Sequence, residues 1–512
     1  MRCARATARA QGSSNLGLVL RDMPFYAVAN GSLAAGGFLA LALFTRWLSP
    51  LDYGLYALTL TTATMAEAAL FSWVNNAVLR YLPAAEDDGS AEVFLATNFI
   101  VSCGLLVVVS AVWLATTVVV GLASPALASL LQAGVLVLAA RTLFGFAVSL
   151  ARARRQTARY AVYTAVSAFG AVILPAVLRV TVGTGAHGIL VMASLAAVMP
   201  AAVELVRSRS LGWLRPRLFL RAVVRRSGSY GIPLAGAAFG AALLSIGDRY
   251  ILQLFRGPSA VGSYSAGYDL ADKSLKLILT VLVAATLPVV MQVLSRQGVE
   301  EANRLIDRML RVYLVWMVPV TALLIAFRGP LVDVVLGPGF ERAVTVVPWV
   351  AVATLCWGGS QIVAQIFQVH ERTGPLLSWL LAAAGVNAVL NVWLIPAAGL
   401  TGAAVATTAG YGFYLAVLWH RRVRSPALTV TAGEAAIALA AGAVMLAAMT
   451  WVPLDQGPRI PFLAVQAVFG WLVYILFLRL LAPHLFAELS GDVRAALAFA
   501  RRRRAPELSG SR

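Results

Sequence analysis

The chain has 512 residues, of which 60% are apolar and only 12% charged. Soluble domains carry about a quarter charged residues, so a string of soluble domains is excluded and an integral membrane protein is indicated. Apolar runs of about 20 residues, rather than alternating ten-residue segments, point to helices and not to a barrel.

In chain order, residues 1–21 carry Arg2, Arg5, Arg9 and Arg21 and read as a short cytoplasmic tail. Fourteen spans follow, near 24–48, 53–81, 92–117, 126–150, 158–180, 186–206, 227–256, 262–290, 309–328, 342–369, 375–396, 399–420, 431–452 and 460–482. Spans 1–6 form an expected N-lobe, residues 22–210, and a basic linker follows at 211–226. Spans 7–12 form an expected C-lobe, residues 227–424, and spans 13 and 14 occupy 425–483. A basic cytoplasmic tail closes the chain at 484–512. Its stretch from His484 to Arg504 carries a modest apolar stripe and a run of arginines suited to anionic lipid.

Charge fixes the expected orientation. With the N-terminus inside, 31 of the 41 basic residues fall on the cytoplasmic side and seven on the other, with Arg141, Lys273 and Lys276 inside spans. Excess arginine and lysine marks cytoplasmic loops, so both termini are expected in the cytoplasm. The basic excess then reports membrane topology rather than nucleic-acid binding.

The chain also repeats. Pro50, Gly54 and Tyr56 after span 1 recur as Pro258, Gly262 and Tyr264 after span 7. Gly185 and Gly188 before span 6 recur as Gly399 and Gly402 before span 12. Spans 1–6 and 7–12 therefore read as two halves in the same orientation, an arrangement that places a substrate site between the lobes.

Soluble catalysis finds no support. Neither lysine follows a glycine, as a phosphate-cradling loop requires, and the four histidines are too dispersed for a zinc site. The three cysteines are scattered. No catalytic residue, metal or cofactor is expected, and the chain is not expected to be an enzyme.

The informative residues are the charges inside spans, because an ionised group at the bilayer centre costs about 2.5–3.5 kcal/mol and marks function by default. Span 8 holds Asp269, Asp272, Lys273 and Lys276 at i, i+3, i+4 and i+7, all on one face. Asp269 can pair with Lys273 and Asp272 with Lys276. In a chain with 39 arginines, both lysines lie on this face. Span 2 carries the aligned polar stripe Thr61, Thr64 and Asn75, together with Glu67. Arg141 lies deep in span 4, and Asp248 and Arg249 lie late in span 7. Arg46, Arg80 and Glu204, near span ends, read as interfacial or lipid-anchoring groups.

The segments Leu48-Ser-Pro-Leu-Asp-Tyr-Gly-Leu-Tyr56 and Asn76-Ala-Val-Leu-Arg-Tyr-Leu-Pro83 resemble the N-terminal half of a bacterial polysaccharide transporter, a Wzx-type flippase. Asp248-Arg249, Val261-Gly-Ser-Tyr-Ser265 and the run from Ile395 to Ala406 resemble its second half. The resemblance implies the multidrug/oligosaccharidyl-lipid/polysaccharide exporter superfamily: an all-α polytopic fold with two six-helix lobes around a central cavity, plus two extra helices. It further implies ion-coupled export of a polyprenyl-diphosphate-linked glycan, such as an O-antigen or exopolysaccharide unit, across the cytoplasmic membrane. Glycosyltransferases and a polysaccharide polymerase are the expected partners, beside membrane lipids. On that reading Lys273, Lys276, Arg141, Arg249, Thr61, Thr64 and Asn75 contact substrate, and Asp269, Asp272, Asp248 and Glu67 couple the ion. The alternatives are a cation-coupled multidrug antiporter, a lipid II flippase and, more remotely, a membrane-embedded glycosyltransferase. A lipid II substrate is weakened by the absence of an arginine cluster from span 1, where Arg46 stands alone.

Overall fold

The structure, a computed structural model, describes residues 2–284, 286–422, 428–451 and 460–483. The expected tail stripe from His484 to Arg504 lies outside the described residues. Among these, the chain is helical and contains no strand, as a polypeptide in lipid requires when every backbone group must be satisfied within its own segment.

The first half contributes α1 (Arg2–Trp47), α2 (Pro50–Leu70), α3 (Ser72–Asp87), α4 (Ala91–Ala123), α5 (Pro125–Ala153), α6 (Thr157–Val182) and α7 (Ala186–Arg207). Two 3-10 turns, Ser210–Trp213 and Pro216–Leu218, lead to α8 (Arg221–Ile246), α9 (Asp248–Arg256), α10 (Pro258–Ala284) and α11 (Thr286–Gln297). The remainder is α12 (Val299–Ala326), α13 (Arg328–Val335), α14 (Val347–Val369), α15 (Gly374–Arg421), α16 (Ala432–Thr450) and α17 (Ile460–Leu481).

Local chemistry sets the boundaries. Ser49 and Ser124 each accept a backbone N–H from the third residue of the next helix, and each is followed by a proline at the first helical position. Thr431 and Glu434 form a reciprocal capping box at the start of α16. Gly183 ends α6 in the left-handed conformation.

Among the described residues, eleven helical stretches are long and apolar enough to cross a membrane, and the difference from fourteen has identifiable causes. The stretch Gly374–Arg421 holds two expected spans, separated at Gly399, whose φ of 56° and ψ of −126° interrupt the helix. Arg256 donates to the carbonyls of Ile395 and Pro396 at this kink. The expected span 53–81 is two helices, broken at Phe71: α3, of 16 residues, is too short to qualify, and α2, of 21 residues, is long enough but too polar, with four threonines, Asp52 and Glu67. Ser72 Oγ and Trp73 Nε1 donate to the carbonyls of Ala68 and Leu70 at the break, meeting acceptors that the interrupted helix leaves open. The expected span 262–290 carries two aspartates and two lysines, and its helix, α10, ends at Ala284. The expected span 227–256 is divided at Gly247 into α8 and α9, which together still make one of the eleven stretches.

The helices gather into two compact units. One comprises Met1–Leu277, Val332–Val346 and Gly374–Gly410. Its core includes Val74, Val78 and Leu82 of α3, Phe94, Leu95 and Phe99 of α4, and Phe146 and Leu150 of α5. Trp213, from the linker, is buried in that core with its ring 5.8 Å from Phe99 and 6.3 Å from Phe146. Arg46 donates to the carbonyls of Val334 and Val335 at 2.5 and 2.8 Å. It thus caps the end of α13 rather than serving as the lipid anchor expected from its position. Glu204 is likewise not interfacial: it is buried and accepts a hydrogen bond from Tyr163 at 2.9 Å.

The other unit comprises Ile278–Leu331, Val347–Thr373 and Tyr411–Arg512. Here Tyr313 of α12 donates to the carbonyl of Leu355 in α14 at 2.5 Å. Trp316 of α12 packs on Trp471 of α17 at 5.6 Å. Asp307 accepts from Thr429 Oγ1 and the Val430 N–H, both at 2.8 Å, so it ties the segment leading to α16 onto α12.

Candidate functional site

Three sequence-predicted residues converge on one cavity in the first unit. The cavity has a volume of about 500 Å3, within the range of small-molecule sites. Glu67 of α2, Arg141 of α5 and Lys273 of α10 all line it. Every other lining residue comes from α1, α2 and α5–α7, so Lys273 is the sole contribution from the second half among those described. Tyr56, Phe144 and Ser167 belong to the same wall.

Arg141 lies 3.6 Å from Glu67, with side chains 41% and 21% exposed. Its Nε is buried without a hydrogen-bond partner, so this guanidinium retains donor capacity beyond its carboxylate. Lys273 Nζ sits 2.8 Å from Asp269 and donates to the Gly37 carbonyl of α1 at 3.3 Å. The expected i, i+4 pairs of α10 both form, since Lys276 lies 2.8 Å from Asp272. The second pair is not part of the cavity wall. One turn along α10 is enough to separate the two lysines by environment.

Asp269 holds a second cation. Arg249 of α9 lies 3.4 Å from its other oxygen and also donates to Ser265 at 2.9 Å and Thr61 at 3.4 Å. Its guanidinium stacks on Tyr268 at 5.4 Å. The side chain is only 8% exposed, which is tolerable for arginine because a carboxylate, two hydroxyls and an aromatic face replace its water. Thr61 therefore serves Arg249 rather than either lysine.

The neighbouring Asp248 turns elsewhere. It is buried and accepts from Tyr264 Oη and, at 3.0 Å, from Thr407 Oγ1 of α15. Asn387 donates to Thr407 at 3.4 Å and Asn391 to Asn387 at 3.1 Å, extending a buried polar row along α15. Asp248 Oδ1 and Asn391 Oδ1 are both buried without a hydrogen-bond donor.

Two expected contacts lie apart from this centre. Thr64 donates to the Leu60 carbonyl of its own helix at 2.7 Å. Asn75 is on α3, beyond the Phe71 break, and its carboxamide packs over Gly145 of the cavity wall. The break re-aims the stripe that a continuous helix would have kept straight. Sequence reading missed Ser265, Thr407, Asn387, Asn391 and the Gly37 carbonyl. The repeated i, i+4 asparagines in an apolar segment were a visible signal, whereas the carbonyl left none.

Chemically, these ion pairs set four cations, Arg141, Arg249, Lys273 and Lys276, against three carboxylates, Glu67, Asp269 and Asp272, and each cation has a carboxylate within 3.6 Å. Such an arrangement can exchange an internal carboxylate for an external anion without leaving a buried cation bare. Among the described residues, no group of three metal-ligating side chains is present.

Comparison with known proteins agrees with this architecture. Residues 19–294 match the model of the family described as "Polysaccharide biosynthesis protein". No curated protein matches the sequence. Among solved structures, the chain resembles the lipid II flippase MurJ in an inward closed conformation, with a TM-score of 0.73 and 11% identity over 90% of this chain and 99% of that one. It also resembles an inward-facing multidrug resistance MATE family transporter of the MOP superfamily, with a TM-score of 0.61 and 13% identity over 83% and 96% of the two chains. A MOP superfamily transporter from Pyrococcus furiosus, titled for the reverse polarity of its binding pocket, gives 0.57 at 11% identity, covering 84% and 95%. These likenesses establish the fold alone, a multi-pass helical membrane fold shared with those proteins.

Proposed function

Because the chain belongs to the polysaccharide biosynthesis protein family, whose model covers more than half of its length, we propose that it is a flippase for a polyprenyl-diphosphate-linked oligosaccharide. It acts across the cytoplasmic membrane by alternating access, with both termini in the cytoplasm. Glycosyltransferases supply its substrate, a polymerase consumes the product, and the chain itself catalyses no bond change.

The observation that carries this reading is the meeting of Lys273 with the Arg141–Glu67 pair in one cavity. A diphosphate is doubly anionic and offers many acceptor oxygens, so it competes with Glu67 for Arg141 and with Asp269 for Lys273. Lys273 is a compact, mobile cation suited to follow a phosphate, while Arg141 supplies a planar fork. As the head group leaves, the two carboxylates reclaim their cations and the cavity returns to neutrality. Uptake of a proton or a metal cation by the displaced carboxylates couples the cycle to an ion gradient. Asp248, whose free oxygen faces no donor, is the second candidate for that coupling.

A multidrug antiporter moves cations and needs a carboxylate free to hold them. The cavity instead pairs Glu67 with a guanidinium, which favours an anionic substrate. The test is accumulation of the lipid-linked glycan on either side of the membrane in cells lacking the chromosomal gene and carrying Lys273→Ala or Arg141→Ala. Loss of outer-face glycan with normal protein abundance supports the proposal. Full export by both variants overturns it.

A further inference from the structure

We propose that the linker joining the two halves is a binding site for anionic phospholipid. This goes beyond the substrate reading and does not depend on it. Between Glu204 and Asp248 the sequence holds seven arginines and no acidic residue. The structure fixes this strip in place. Trp213 is buried in the core of α3–α5, and Thr97 of α4 clamps the backbone, donating to the Leu218 carbonyl at 3.2 Å and accepting from the Leu220 N–H at 3.1 Å.

With the backbone pinned, two kinds of side chain are left outward. Leu214, Phe219 and Leu220 remain 48%, 44% and 49% exposed. Arg215, Arg217, Arg221 and Arg225 are exposed beside them. Apolar groups interleaved with cations suit the boundary between acyl chains and anionic head groups. A cavity of about 250 Å3 opens at the same place, lined by Val93, Phe94, Leu220 and Val223, with Ser90 and Arg226 contributing polar groups. Arg226 is held over the Tyr81 ring at 4.5 Å.

Nearby acids are outnumbered. Glu86 is taken by Arg154 at 2.8 Å and Glu204 is buried against Tyr163, which leaves Asp87, Asp88 and Glu92 as the exposed acids of the neighbouring connection, three charges against the seven arginines. Three large apolar residues interleaved with four exposed arginines in one short strip form an amphipathic surface matched to a membrane interface. The positive strip therefore fits a phosphate-bearing lipid head group, with its glycerol and upper acyl region entering the cavity.

The test uses the full chain in vesicles of phosphatidylglycerol and phosphatidylcholine in equal parts, with Phe219 replaced by the photocrosslinker benzoylphenylalanine. The crosslinked lipid is identified by mass spectrometry. Phosphatidylglycerol should be enriched over phosphatidylcholine. Replacing Arg215, Arg217, Arg221 and Arg225 by alanine, singly and together, should lower the enrichment by about fivefold for each arginine near the surface. Lysine at all four positions should retain it, and in both the arginine and the lysine forms the enrichment should fall as salt rises. Inorganic phosphate should not compete, which separates a lipid site from a free-anion site. Equal labelling of the two lipids, or undiminished enrichment in a folded alanine variant, overturns the proposal. Should the quadruple alanine variant fail to fold, salt-insensitive enrichment in the lysine variant overturns it equally.

Discussion

Gly54 and Gly262 face each other across the start of α2 and α10. A Cβ on Gly54 would lie 1.8 Å from the Pro258 carbonyl oxygen, and a Cβ on Gly262 would lie 1.8 Å from the Pro50 carbonyl oxygen. The contact is reciprocal, and all four residues are members of the sequence repeat. The matched prolines and glycines are therefore each other's partners, and the two backbones cross where neither can carry a side chain.

This crossing makes Gly54→Ala and Gly262→Ala costly, because the obstacle is backbone and cannot rotate away. Each should destabilise the chain by about 1–3 kcal/mol, as overpacked sites do. Gly31→Ala is the control, since nothing lies within 4 Å of its Cβ position. It should be neutral or stabilising by up to about 1 kcal/mol from helix propensity. Melting temperatures of the detergent-solubilised proteins, read by size-exclusion, check the contrast. Equal melting of Gly54→Ala and Gly31→Ala would refute the crossing.

The proposed orientation is tested by single cysteines in a cysteine-free background. Ser90 and Gln156 lie in connections assigned to the cytoplasm, and Ser124 in one assigned to the opposite face. An impermeant maleimide added to intact cells should label Ser124→Cys and spare Ser90→Cys and Gln156→Cys. The reverse pattern would invert the topology derived from arginine and lysine counts.

In the second unit, Asp307 is only 5% exposed and carries Thr429, Val430 and Arg311, the last at 3.2 Å. Asp307→Ala removes the acceptor of a backbone N–H and a hydroxyl, while Arg311 keeps Glu434 at 3.7 Å. The expected loss is about 1–3 kcal/mol. Asp307→Asn, which keeps one acceptor oxygen, should lose less. Protease sensitivity of the segment before α16 is the direct measurement, and unchanged cleavage in Asp307→Ala would show that the tie is dispensable.

Much of this organisation was legible in the sequence, and the parts that were not share a cause. The two ion pairs of α10 follow from i, i+4 spacing, because both partners ride on one helix. The turn of Arg249 toward Asp269, Thr61 and Ser265 crosses between helices, and spacing along one segment carries no information about it. The same holds for Asp248, whose partner Thr407 is 159 residues away. The Phe71 break has no proline or glycine to announce it. Its support comes from Ser72 and Trp73 bonding backward, and it displaces Asn75 from the stripe it shares in sequence with Thr61. Trp213 read as part of a basic linker because charge dominates that stretch, yet its indole is core. Composition reports the neighbourhood of a residue in sequence, and burial reports its neighbourhood in space.

Glu67 supplies a prediction about release. If it competes with substrate for Arg141, Glu67→Gln should hold the lipid-linked glycan about fivefold more tightly, the ~1 kcal/mol of a partly exposed ion pair. Export should slow, because nothing then reclaims the guanidinium. Binding of radiolabelled substrate to purified protein and export in cells are the paired measurements. Weaker binding with unchanged export would assign Glu67 a purely structural role.

The last prediction separates Lys273 from Arg249, which share Asp269 but differ in surroundings. Lys273 is 30% exposed, and removing it leaves Asp269 with Arg249 at 3.4 Å. Lys273→Ala should therefore fold and reach the membrane in near-normal amount while losing export. Arg249 is 8% exposed and alone joins Asp269 to Thr61 and Ser265. Arg249→Ala strips a buried network of its only cation besides Lys273, and breaking such a pair costs about 3–5 kcal/mol, so protein abundance itself should fall. Lys276→Ala is the third member of the comparison, because it breaks the pair of α10 that lies away from the cavity wall. It should reduce export less than Lys273→Ala does at equal abundance. Lys273→Arg should restore part of the export, since a diphosphate accepts either cation. Abundance by immunoblot and outer-face glycan must be read from the same cells. If Lys273→Ala and Lys276→Ala lose export equally with both proteins abundant, the cavity lined by Lys273 is not where the two lysines diverge. If Lys273→Ala exports normally, the substrate's anionic group is held elsewhere.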